Sequence, residues 1–237
     1  MPHNLEEMGS QEQKEAAARY AASMVLDGMA VGLGSGTTAE LAVHALGELH
    51  RGGLRFTGVA TSKATDAIAR SYGIPLKRLD ERARVDLCID GADEVDPHLN
   101  LIKGHGGALL REKLVASAAA RFVVIVDSSK LVERLGEKTP IPVEIVQFGW
   151  LSTKQHLQDI GLESTVRQAE SGRPYLTSNH NLILDCHAAR GIDLARHETA
   201  NAIKLQTGVV EHGLFLGMAA AVVVGLDDGA AEVRHPG

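Results

Sequence analysis

Two spacings of apolar residues alternate along the first half of this chain. One is the three-to-four-residue recurrence of a helix with a buried face. The other is the short unbroken apolar run of a strand buried on both sides. Gln11 to Leu26 is alanine-rich and amphipathic and predicts a helix; Met29 to Leu33 predicts a strand, and Ala39 to Leu49 a second helix. The alternation continues through a strand at Phe56 to Ala60, a helix at Lys63 to Ser71 and a strand at Val85 to Ile89. A helix at Ala108 to Ala119 and a β-branched strand at Phe122 to Val126 complete it. Strands separated by helices pair in parallel through right-handed crossovers.

The texture changes at Lys138-Thr139-Pro140-Ile141-Pro142. Beyond it the pattern predicts strands at Val143 to Val146, Ser164 to Gln168 and Leu182 to Cys186, with helices at Trp150 to Ile160 and Leu194 to Leu205. Leu214 to Leu226 is strand-rich again and able to rejoin the first sheet. The expected fold is α/β: a Rossmann-like, mostly parallel sheet flanked by helices, with a smaller α+β, ferredoxin-like domain inserted before the last strands. In residues, 1–137 and 212–237 form the Rossmann-like domain and 138–211 the smaller one.

Composition narrows the function classes. With 237 residues, 44% of them hydrophobic but only 3% aromatic, the core is built from Ala, Val, Leu and Ile. The net charge is −6 and no basic run is dense enough for a nucleic-acid footprint, so no nucleic-acid partner is expected. Cys88 and Cys186 both sit in apolar, strand-like runs and read as two small buried hydrophobes rather than a disulfide or metal pair. The opening residues have no cationic start ahead of an apolar stretch, and Leu214 to Leu226 is too short to span a bilayer. A cytoplasmic protein without membrane attachment is expected.

Candidate chemistry collects where strands end and helices begin. Gly34-Ser35-Gly36-Thr37-Thr38 follows the first strand, where open N–H groups and the helix dipole favour an anion. It matches neither G-x-G-x-x-G nor the P-loop, and it also fits a plain threonine-capped turn. Asp90-Gly91-Ala92-Asp93 follows the third strand, at a carboxyl end, where open α/β sheets bind ligands. Acids at 90, 93, 94 and 96 also fit a solvated loop or an Mg²⁺ or Ca²⁺ site. Lys103-Gly104-His105-Gly106-Gly107 offers a nest of backbone donors beside a fixed ammonium. On its own, Glu112, between Arg111 and Lys113, also fits an exposed helix face. Asp127-Ser128-Ser129-Lys130 ends the fourth strand, and Lys130 is placed to reach an anion.

Taken together, these junctions resemble the type A ribose-5-phosphate isomerases. The matching stretches include Gly34-Ser35-Gly36-Thr37-Thr38, Asp90-Gly91-Ala92-Asp93-Glu94, Lys103-Gly104-His105-Gly106-Gly107-Ala108, Arg111-Glu112-Lys113, Asp127-Ser128-Ser129-Lys130 and Pro142-Val143-Glu144. Asn181 to Asp185 and Thr207 to Phe215 also fit, so the resemblance runs in order through nearly the whole chain. It implies interconversion of D-ribose 5-phosphate and D-ribulose 5-phosphate without cofactor or metal, by a homodimer or homotetramer. It further implies that Glu112 is the proton-shuttling base, and that Lys103, Asp90 and Asp93 handle ring opening and the sugar oxygens. Substrate binding falls to Ser35, Gly36, Thr37, Thr38, Gly91, Ala92, Gly104, His105, Gly106, Lys130 and, from the first helix, Lys14. Two positions depart from the family pattern: His105 and His180 stand where glycine is expected.

The chemistry of such a reaction suits this inventory. Aldose–ketose isomerisation removes a weakly acidic proton beside a carbonyl, so it needs a carboxylate base, donors for the enediolate oxygen, and exclusion of water. Three rivals make different demands: a sugar-phosphate-sensing module, an amino-sugar-phosphate deaminase, and a metal-dependent phosphohydrolase. No added helix-turn-helix segment supports the first, the contexts of Asp90, Lys103 and Glu112 argue against the second, and the third predicts loss of activity with a chelator.

Overall fold

The computed structural model describes residues 3–81 and 84–237. Its contacts divide the chain into two units. One comprises Met1–Ala92, Arg111–Leu131 and Met218–Gly237; the other comprises Asp93–Leu110 and Val132–Gly217. Residues 93–110 and 132–137, which the composition change at 138 leaves with the first domain, group by contacts with the second. Their own strands are two residues long or fewer, too short to register as periodicity, and their partners lie in the second unit.

In the first unit the elements run α1 (His3–Ala22), β1 (Ala30–Leu33), α2 (Thr37–Arg51), β2 (Thr57–Ala60), α3 (Lys63–Ser71) and β3 (Val85–Gly91). After an excursion into the second unit, α4 (Leu109–Ala118) leads without a break into β6 (Ala119–Val126), and β12 (Ala221–Gly225) and β13 (Ala231–Arg234) close the chain. These strands form one sheet in the order β13-β12-β6-β3-β1-β2. All neighbours pair in parallel except the terminal β12–β13 hairpin. The expected rejoining of the 214–226 run is seen as β12, which pairs with β6.

Alternate residues of four strands, Val31 and Leu33, Leu87 and Ile89, Val123 and Ile125, Ala221 and Val223, point to one face. There they meet Ala17, Ala18, Ala21, Ala42, Val43 and Leu46 of α1 and α2. The opposite face is closely covered: a Cβ on Gly32 would lie 2.6 Å from Val115 Cγ1 of α4. Small residues let helices approach the sheet where aromatics would hold them off.

In the second unit, β7 (Ile141–Ile145), α5 (Trp150–Asp159), β8 (Leu162–Val166), β9 (Leu182–Ala188), α6 (His197–Lys204) and β10 (Val209–His212) follow one another. Their antiparallel sheet has the order β10-β7-β9-β8. This β-α-β-β-α-β arrangement is the ferredoxin-like unit expected. A small sheet of β4 (Glu94–Val95), β5 (Leu101–Ile102) and β11 (Leu214–Phe215) completes the unit. Its core gathers Ile141, Val143, Ile145, Leu157, Leu184, Cys186 and Ile203.

Both cysteines are buried and neither forms a disulfide. Burial, reinforced by the neighbouring Asp185 charge, pushes the Cys186 thiol up to about 12. Since the thiolate is the nucleophile, native Cys186 is expected to resist iodoacetamide at about pH 8.5 and to react only after unfolding. Alkylation of Cys186 in the native protein, read by peptide mass, would contradict this. No described helix is long and apolar enough to cross a membrane.

Candidate active site

In the first unit, β1 is flanked by β2 on one side and β3 on the other, so the chain order reverses beside it. Helix-bearing loops leave in opposite directions there and open a crevice at the strands' carboxyl ends. Gly34-Ser35-Gly36 leaves β1 at this point, and Asp90 lies at the end of β3. Gly34 N–H still donates to Ile89 O (2.9 Å), so the two strand ends remain paired at the mouth of the crevice.

Asp90 is fully buried, and its Oδ1 accepts from the backbone N–H groups of Ser35 (3.0 Å) and Gly91 (2.8 Å). The structure therefore brings the expected Ser35, Asp90 and Gly91 together. Gly36 adopts φ 89°, ψ 171°, a conformation essentially restricted to glycine, and caps α2 without a side-chain bond. The first N–H groups of α2, on Thr37, Thr38 and Ala39, have no intrahelical acceptor and point out of the helix start, where the dipole favours an anion. Two hydroxyls hold this loop from behind. Thr61 Oγ1 donates to Leu33 O (3.0 Å) and meets Ser35 Oγ at 2.6 Å, while Thr65 Oγ1 donates to Gly34 O (2.7 Å). Sequence reasoning missed Thr61 and Thr65; their position just past β2, at the same sheet edge, was the available signal.

A third junction follows β6. Asp127 is 1% exposed and caps a short helical turn, with Oδ1 accepting from Ser129 N (3.0 Å) and from the Ser129 hydroxyl. Lys14 Nζ lies 3.9 Å from Asp127 Oδ2, which ties the first helix to this strand end. Next to Lys14, Gln13 binds the same turn, accepting from Ser128 N (2.8 Å) and Oγ (3.0 Å). Lys130 is half-buried on the same turn, and Ala92 is half-buried beyond β3.

Glu112 lies in the first turn of α4 and is 3% exposed. Burial rules out the exposed-face reading: the carboxylate is held inside while Arg111 and Lys113 on either side stay partly open. A deeply buried carboxylate is rare without a partner or a task.

In the second unit, Lys103 is 3% exposed. Its N–H donates to Gly213 O (2.9 Å) and its Nζ sits 5.5 Å from the Phe215 ring centroid, within cation–π range. Residues 104–107 form a turn closed by Gly107 N–H donating to Gly104 O (3.0 Å). The glycines at its ends need positive φ (106° at Gly104 and 78° at Gly107), whereas His105 does not. This explains why a side chain is accepted at 105: His105 is exposed, its Nε2 lies 3.2 Å from Pro140 O, and its N–H donates to Asp93 Oδ2 (3.0 Å). His180, by contrast, adopts a left-handed backbone (φ 63°), the conformation that favours glycine, at a cost on the order of 1 kcal/mol.

The remaining acids of the 90–96 stretch serve the fold. Glu94 is fully buried and its oxygens accept from the N–H groups of Gly136 (2.6 Å), Lys138 (2.7 Å) and Thr139 (2.5 Å). Asp96 accepts from His98 N, Asn100 N and Asn100 Nδ2. Both are loop anchors, which removes them from a 90–96 metal cluster. Among the described residues no group of three or more His, Cys, Asp or Glu side chains is arranged to hold a metal ion.

Known proteins agree with this architecture. The family described as ribose 5-phosphate isomerase A (phosphoriboisomerase A) matches residues 57–229. Ribose-5-phosphate isomerase A of Thermomicrobium roseum is 53% identical over 223 residues, covering 94% of this chain and 93% of that protein. The Gloeobacter violaceus protein of the same name is 51% identical over 225 residues, covering 94% and 96%. A solved D-ribose-5-phosphate isomerase in complex with phospho-erythronic acid superposes with a TM-score of 0.90 at 35% identity, over 95% of this chain and 99% of the other. Ribose 5-phosphate isomerase A of Methanocaldococcus jannaschii does so with a TM-score of 0.87 at 39% identity, over 94% and 97%. With such identity sustained along the chain and the same fold beneath it, the chain belongs to the ribose 5-phosphate isomerase A family.

Proposed function

We propose that this chain interconverts D-ribose 5-phosphate and D-ribulose 5-phosphate through an enediolate, with Glu112 as the base. In the open-chain aldose, Glu112 removes the C2 proton; the electron pair shifts to make the C1–C2 double bond and the carbonyl oxygen takes up negative charge. The protonated Glu112 then returns its proton to C1 as the C2 hydroxyl gives up its own proton to become the ketone and the C1 oxygen takes one up, so one proton moves between the carbons, one moves between the oxygens, and nothing is consumed. Lys103 and the N–H groups of the 104–107 turn stabilise the oxyanion, each donor contributing on the order of 10²–10³ in rate. Asp90 and Asp93 assist ring opening, in which the ring oxygen gains a proton as the anomeric hydroxyl loses one. Ser35, Gly36, Thr37 and Thr38 at the start of α2, with Gly91, Ala92, Gly104, His105, Gly106, Lys130 and Lys14, bind the substrate. The enzyme works in the cytoplasm as a homodimer or homotetramer and requires no cofactor.

The observation that carries this reading is Glu112: a carboxylate 3% exposed in the first turn of a helix that directly follows a glycine turn. Family membership supplies the substrate. The deciding experiment is ketose formation from D-ribose 5-phosphate by the purified protein in excess EDTA. Rapid turnover, unchanged by the chelator, is the expected result. Silence in EDTA with activity restored by Mg²⁺ or Mn²⁺ would refute the metal-free mechanism, and silence of folded protein under both conditions would refute the isomerase itself.

A further inference from the structure

Arg167 lies one residue past β8, and its guanidinium is divided between two tasks. Nε and Nη2 donate to the two carboxylate oxygens of Asp185 on the neighbouring strand β9, at 3.0 and 2.5 Å. Nη1 donates to two successive backbone carbonyls of the glycine turn, Gly104 O (3.1 Å) and His105 O (2.7 Å). The pair is well shielded, with side-chain exposures of 13% and 18%. A bidentate fork of this kind holds its plane in a way a lone surface ion pair does not.

The consequence follows from peptide geometry. In a trans peptide the C=O and the next N–H point in opposite directions. Drawing the Gly104 carbonyl toward Arg167 turns the His105 N–H away from it, and that N–H is the one given to Asp93. Drawing the His105 carbonyl the same way turns the Gly106 N–H outward. Gly106 is exposed, with no atom within 4 Å of where a Cβ would stand, and among the described residues its N–H has no acceptor. Glycine-flanked peptides flip readily, and a flip of the 105–106 peptide would present a carbonyl oxygen where a donor had been. Attraction for a developing oxyanion would then become repulsion.

We infer that Arg167, locked by Asp185, is a positioning residue that fixes the 104–107 turn with the Gly106 N–H outward, ready for the oxyanion of the isomerisation. This rests on the proposed reading of the turn as an oxyanion cradle. Lysine cannot substitute, because one ammonium cannot chelate a carboxylate and bind two carbonyls in one plane.

The test compares wild type with Arg167→Met, Arg167→Lys and Asp185→Asn. Each is measured for kcat and KM with D-ribose 5-phosphate, and for amide hydrogen exchange in the 103–107 segment. Both Arg167 variants are expected to lose about 10–10²-fold in kcat with KM changed less than about threefold, since donors are misaimed rather than deleted. Asp185→Asn keeps the shape, loosens the fork and should lose less in the same direction. Exchange should quicken in the turn while the β7–β9 ladder stays protected. A merely structural role would lower the melting temperature and leave kcat per folded molecule unchanged, and that result overturns the inference. So does a loss confined to KM. If wild type does not turn over, the isomerase reading fails separately, and unchanged exchange at the turn in the variants would still refute the positioning role.

Discussion

Replacing Glu112 by glutamine is expected to lower kcat by at least about 10²-fold and by as much as about 10⁴-fold, the range over which a positioned general base accelerates proton transfer. That span corresponds to about 3–5 kcal/mol of activation free energy. Glutamine keeps the size of the side chain and its capacity to accept a hydrogen bond, so packing around a residue that is 3% exposed is preserved. What it removes is the ability to take a proton from carbon. KM should accordingly stay within about threefold of wild type, which separates loss of chemistry from loss of binding. A second readout is independent of net turnover. In D₂O the wild-type enzyme should incorporate solvent deuterium into the sugar at the carbon being protonated, because a carboxylic acid that exchanges with solvent delivers it; the variant should not. Near-normal kcat in Glu112→Gln, or deuterium incorporation at the wild-type rate, would remove Glu112 from the role of base.

The strand-end junctions were legible because two periodicities meet there. An apolar run stops, a Gly- or Asp-containing stretch follows, and a helical spacing begins; this places Ser35, Asp90 and Asp127 at one edge of the parallel sheet without knowledge of the topology. The ferredoxin-like order of helices and strands was legible for the same reason. Elements of two residues, such as β4, β5 and β11, leave no period to read. Helix ends were also misjudged. The alanine-rich run suggested α1 to Leu26 but it stops at Ala22, and α6 begins at His197 rather than Leu194. Interactions made through the backbone of distant residues were the least accessible. Glu94 looked like part of an acidic cluster, and only the fold reveals that its oxygens are taken by N–H groups at 136, 138 and 139. Arg167, just past β8, and Asp185, 18 residues on in the neighbouring β9, carry no local signature at all. Glu112 lay in the middle: its motif was readable, while its burial was not, since its neighbours Arg111 and Lys113 advertise an exposed face.

Gly34→Ala is expected to disable the enzyme through geometry alone, although it changes a single methyl group and touches no charge. Gly34 does not need a positive φ, so alanine meets no backbone strain there. The obstacle is space: a Cβ at this position would stand 2.2 Å from Asp90 Oδ1, 2.3 Å from its Cγ and 2.6 Å from its Cα. A side-chain rotation can relieve the first two contacts only by giving up the bonds from Ser35 N–H and Gly91 N–H that fix the carboxylate. The third involves backbone, and it can be relieved only by spreading β1 from β3, which the Gly34 N–H to Ile89 O bond opposes. Overpacking of this kind costs about 1–3 kcal/mol, or roughly 2–12 °C in melting temperature for a chain of this size. The functional loss should be larger than the stability loss, because Asp90 and the anion-facing loop are displaced together; about 10²-fold in kcat/KM is expected. Gly36→Ala provides the contrast. No atom lies within 4 Å of its Cβ position, but its φ of 89° penalises any side chain. That variant should weaken phosphate binding, raising KM more than it lowers kcat, since the strain distorts the helix start while leaving Asp90 in place. A folded Gly34→Ala enzyme with wild-type kcat/KM would mean that β1 and β3 can part at the switch point without consequence, and Asp90 would then have no claim to a part in ring opening.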